Sequence, residues 1–83
     1  MTEIAGKVYD FIRGSDVQRD GMYLEVSISN GPQVMEIFYS DKTGKMTVTL
    51  LQQDVPLEVL EESIAFARTY LPPTVLSEYP AQS

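Results

Sequence analysis

Two glutamates, Glu25 and Glu36, fall where the register of a β-hairpin sets them side by side, and carboxylates are most of the charged chemistry this chain has. Its 83 residues include no histidine and no cysteine. Histidine titrates near neutral pH and is the commonest metal ligand, while cysteine supplies thiolate nucleophiles, disulfides and structural zinc sites. Without them, twelve acidic residues stand against six basic ones, a formal net charge of −6.

Side chains directly opposed in an antiparallel pair have Cβ atoms about 5 Å apart, so two such carboxylates repel and one pKa rises. A carboxylate pair can act as general acid and base, as in glycoside hydrolysis. It can equally receive a lysine or arginine from a partner, with the next opposed pair, Tyr23 and Phe38, as apolar anchors. Val34, Thr47, Thr49 and Leu51 are expected on the same sheet face. Catalysis needs a water-excluding cleft, which one face of a three-stranded sheet does not offer, so the expectation is binding and not an enzyme. A second acidic group, Asp54, Glu58, Glu61 and Glu62, heads the C-terminal helical segment. Glu58 and Glu62 lack a basic partner four residues on, and the helix N-terminus compensates them in part. Phe66 and Tyr70 follow on that helix as candidate interface aromatics.

Other chemistry is weakly supported. Asp16-Val17-Gln18-Arg19-Asp20-Gly21 begins like an EF-hand loop, but Ser27 stands where the bidentate glutamate belongs, and Arg19 adds positive charge. No Ser-x-x-Lys spacing and no glycine-rich phosphate loop occurs. Neither a metal nor a cofactor is therefore expected. The acidic balance disfavours nucleic acid and anionic membranes as partners and favours a protein with a basic surface. No apolar run has the length of a membrane span, and the start from Met1 to Lys7 has neither a basic n-region nor an apolar core. The expected location is cytoplasmic.

The elements that must position these groups come from periodicity. Residues 3–13 gather Ile4, Val8, Phe11 and Ile12 on one side and Glu3, Lys7, Asp10 and Arg13 on the other, which predicts a helix stopped at Gly14. Gly6 opposes this by about 1 kcal/mol. Three strands follow, Met22 to Ser29, Gln33 to Ser40 and Lys45 to Gln52. They are joined by a two-residue turn at Asn30-Gly31 and a four-residue turn, Asp41-Lys42-Thr43-Gly44. Closing the turns sets Val26 opposite Met35, Leu24 opposite Ile37 and Met22 opposite Tyr39. It then sets Tyr39 opposite Met46, Ile37 opposite Val48 and Met35 opposite Leu50. All fall on one face, so turn chemistry and hydrophobic pattern agree.

A second helix from about Pro56 to Leu71 carries one stripe of Leu57, Leu60, Ile64, Ala67 and Leu71, and another of Val59, Ser63, Phe66 and Tyr70. That arc is wider than one surface helix needs, which makes Val59, Phe66 and Tyr70 candidates for a homodimer interface. The expected fold is α+β: N-terminal helix, three-stranded antiparallel meander and C-terminal helix in a two-layer sandwich over residues 1–73. Residues 74–83 are expected to form an extended or mobile tail.

The helix–meander–helix order and the acidic charge are similar to the opening half of bacterial secretion chaperones, a likeness of architecture and not of residues. It implies a homodimeric chaperone or adaptor. The charge pattern itself points first to a small acidic protein-binding module of the inhibitor, immunity-protein or antitoxin type.

Overall fold

In the computed structural model, which describes residues 1–72, the chain forms five strands and one helix. The strands are β1 (Thr2–Ile4), β2 (Lys7–Asp16), β3 (Gly21–Ile28), β4 (Gln33–Ser40) and β5 (Met46–Leu50), and α1 spans Leu57–Tyr70. The sheet is an antiparallel meander in the order β1-β2-β3-β4-β5. The segment expected to be a tail, 74–83, lies outside the described residues.

The N-terminal helix expected over 3–13 is instead a hairpin leading into the longest strand. Ala5 and Gly6 both take positive φ, 52° and 85°, the conformation of a tight hairpin turn, and Ile4 pairs with Lys7 across it. Gly6, a penalty to a helix, is what the turn needs. The apolar spacing misleads because β2 carries hydrophobic residues on both faces. Tyr9 (3% exposed) and Phe11 point into the core, while Val8 and Ile12 point outward. Its β-branched and aromatic content favours a strand, and extended backbone lets eight residues, Tyr9 to Asp16, pair with β3. With no helix ahead of the sheet, the likeness to secretion chaperones loses its basis.

The expected pairs of the central meander are all present, from Met22–Tyr39 through Met35–Leu50. The first turn differs by one residue. Only Asn30 of the Asn30-Gly31 pair has positive φ (60°), Gly31 N–H donates to the Ile28 carbonyl at 2.7 Å, and Ile28 N–H donates to Pro32 at 3.0 Å. An irregularity between Val26 and Ser27 absorbs the difference and restores the register. It also places Val34 in the core at 4% exposure rather than on the outer face. The second turn closes as expected, with Gly44 at φ 72° and Ser40 N–H donating to Lys45.

Helix α1 begins after Pro56, whose extended backbone caps it without a side-chain hydrogen bond. It lays Val59, Ser63, Ala67 and then Leu71, four residues apart, on Leu24, Val26, Met35 and Ile37 of the sheet. Small Ser63 and Ala67 allow close approach. Removing each large apolar side chain in this layer from water contributes about 1.5–3 kcal/mol. One helix cannot cover five strands. Its backbone comes closest to β3 and β4, and Val48 and Leu50 of β5 stay 44% and 55% exposed on the same face. No helix among the described residues is long and apolar enough to cross a membrane.

Candidate functional site

The outer sheet face carries two rows across the strands. Ile12, Glu25, Glu36 and Thr49 form one, and Gly14, Tyr23, Phe38 and Thr47 the other. Glu25 is directly opposite Glu36, and Tyr23 opposite Phe38. The hydrophobic pattern alone gives Arg19 no place on this face. This residue sits in the β2–β3 turn, donates from Nε to Asp16 at 2.6 Å, and reaches Glu36 at 3.1 Å. Its guanidinium lies 4.1 Å from the centre of the Phe38 ring. The EF-hand-like segment is therefore a hairpin turn whose aspartate holds an arginine. The signal was available only once β2 was read as a strand, because that makes residues 17–20 a turn beside β3.

Gly21 makes the arrangement possible. It stands between the turn and β4 with no side chain, and the Phe38 ring occupies the space a Cβ would take. Gly14 is covered likewise by Tyr23. The aromatic strip thus lies across glycines, and Arg19 neutralises one member of the glutamate pair. Two concavities among the described residues lie elsewhere. One, about 360 Å³, runs between α1 and β5, and the other, about 230 Å³, lies between the β1–β2 turn and the 52–56 segment. Neither concavity is lined by Glu25 or Glu36.

The hydrogen bond from the Arg19 side chain holds the Asp16 carboxyl below its ordinary value of 3.8. A depressed folded-state pKa stabilises the fold above the unfolded value, and that stabilisation disappears as pH falls through the folded value. Urea midpoints of the wild type should therefore fall between pH 5 and pH 2, with Asp16→Asn losing less over that window. Because the pair is solvent-exposed, the difference should be small and should shrink further in salt. Equal losses in both proteins would show that the ion pair does not contribute.

On α1, Glu58, Glu61 and Glu62 are all exposed, and none joins an ion pair among the described residues. Asp54, just ahead of the helix, is exposed as well. The candidate dimer residues are placed differently. Val59 is fully buried in the core, so it is not available at the surface. Phe66 meets Phe11 of β2 edge to face at 5.2 Å and Tyr70 at 4.6 Å. Arg13 of β2 lies 5.1 Å from the Tyr70 ring and donates to the Tyr70 carbonyl at 3.1 Å. Within the chain, α1 packs Val59 and Ser63 on the sheet and sets Phe66 and Tyr70 against β2, with Tyr70 still 48% exposed. The two glutamate groups lie on different surfaces, on the outer sheet face and on α1, which packs against the opposite face. Comparison of the chain with protein-family models, with curated proteins and with solved structures finds no match.

Proposed function

We propose that this chain is a small acidic protein-binding module of the inhibitor, immunity-protein or antitoxin type, and that the solvent side of α1 is the surface that meets a basic partner. One observation carries the choice of surface. Glu58, Glu61 and Glu62 are exposed and join no ion pair among the described residues, whereas Glu36 on the sheet is tied to Arg19. Unpaired carboxylates projecting from a rigid helix steer a positively charged partner and accept its lysines and arginines as charge-assisted hydrogen bonds. Glu25, Tyr23 and Phe38 are the secondary surface.

The test is association kinetics with the basic protein that cross-links to the full chain in its native source. Raising salt should slow association steeply, and the triple change Glu58→Gln, Glu61→Gln, Glu62→Gln should lower the on-rate by roughly tenfold or more at low salt. Glu25→Gln should leave it nearly unchanged. Salt-insensitive association, or a larger effect from Glu25 than from the helix, would overturn this reading.

A further inference from the structure

The far edge of the sheet carries an interaction surface independent of the acidic helix. We propose that β5 pairs edge to edge with β5 of a second copy of this chain, antiparallel and centred on Val48, joining two five-stranded sheets across a twofold axis.

The hydrogen-bonding parity of β5 sets this register. Lys45 accepts from Ser40 N–H at 3.0 Å, and Leu51 N–H donates to Val34 at 2.9 Å. In an antiparallel ladder these groups alternate sides, so residues 45, 47, 49 and 51 turn toward β4. The N–H and C=O groups of Met46, Val48 and Leu50 therefore point out from the open edge. Sheet edges are usually guarded by a charge, a proline, a bulge or a very short strand. β5 has none of the first three between Met46 and Leu50. The other edge is guarded: β1 is three residues long, and beyond it β2 carries Asp10, Arg13 and Asp16.

The strand is complementary to itself. With Val48 opposite the partner's Val48, Met46 meets the partner's Leu50 on the inner face, and Thr47 meets the partner's Thr49 on the outer face. Apolar residues face apolar ones, threonines face threonines, and no like charges are opposed. The uncovered face agrees with this, since Val48 and Leu50 are about half exposed beside the groove lined by Ile37, Met46 and Ile64.

The experiment is sedimentation of the full chain at about 100 µM, enough to populate a dimer with a Kd as weak as about 10 µM. A dimer is expected. Val48→Lys opposes two charges on the axis and should weaken it at least about tenfold. Val48→Pro removes an outward N–H, which an edge strand tolerates, and should do the same, with circular dichroism confirming that each variant folds. Opposed Cα atoms at a hydrogen-bonded pair lie about 5.5 Å apart, within disulfide reach. Since the chain has no cysteine, Val48→Cys should oxidise to a covalent dimer far faster than Val17→Cys in the exposed β2–β3 turn.

A wild-type monomer at that concentration, with Val48→Cys no faster than the control, would overturn the proposal and leave the edge to another protein's strand or to residues 73–83. A dimer indifferent to Val48→Lys would place the interface elsewhere. Species that keep growing beyond a dimer would indicate head-to-tail pairing and would overturn the twofold arrangement.

Discussion

Gly21→Ala is expected to destabilise this protein by at least about 3 kcal/mol, at the upper end of overpacking costs, because the added methyl has nowhere to go. At Gly21 a Cβ would collide with the backbone carbonyl of Tyr39 and come within 2.5 Å of the Phe38 ring. The ring is the platform for Arg19, and the carbonyl belongs to the neighbouring strand. Relief therefore requires either separating β3 from β4 or expelling Phe38 and breaking the Arg19–Glu36 contact. Gly14→Ala is the control. Its methyl would meet only the outer end of Tyr23, a side chain at the surface that can swing aside. That change should cost about 1 kcal/mol or less, and the two melting temperatures should differ by about 10 °C or more. Similar losses at both glycines would mean that the Gly21 strand yields easily and that the Phe38–Arg19 platform is not fixed by it.

That platform marks where sequence reasoning succeeded and where it stopped. The central register was legible because two turns and a period-two pattern each specify it, and a one-residue slip would have turned every apolar side chain to the wrong face. Even the altered first turn kept that register, through an irregularity that no local signal announces. The first thirteen residues were misread because Val8 and Ile12 lie on the outer face while Tyr9 and Phe11 lie on the inner one. Such a strand imitates the spacing of an amphipathic helix. Ala5-Gly6 was the decisive feature, and alanine at positive φ hides it. The error carried forward. Without β2 as a strand, residues 17–20 were not a hairpin turn, and Arg19 had no reason to reach Glu36. The position of α1 was legible, and its width was correctly unusual. Of the second stripe, Val59 and Ser63 pack on the sheet and Phe66 meets Phe11 because β2 extends the sheet beneath it, while Tyr70 stays half exposed.

Leu24→Ala should have the other large effect, about 3–4 kcal/mol, from lost transfer free energy and the cavity left beneath α1. Leu24 is fully buried at the centre of the sheet, between Arg13 of β2 and Ile37 of β4. A chain of this size holds only about 4–12 kcal/mol in all, so the variant should be partly unfolded near 37 °C. Leu50→Ala removes the same atoms from the same sheet face, but Leu50 is 55% exposed on β5, at the edge that α1 leaves largely open. In dilute solution its cost should be under about 1 kcal/mol, since little area leaves contact and no cavity forms. Their concentration dependence separates the two positions further. Loss at Leu24 is a property of one folded chain, so its melting temperature deficit should be the same at any protein concentration. If β5 pairs with a second copy, Leu50 gains the partner's Met46 as a neighbour, and its deficit should grow as dimer becomes populated. A Leu50 deficit that stays constant from low to high micromolar chain would show that the half-covered sheet is stable without a partner. A deficit at Leu24 no larger than that at Leu50 would mean that α1 does not seal the centre of the sheet.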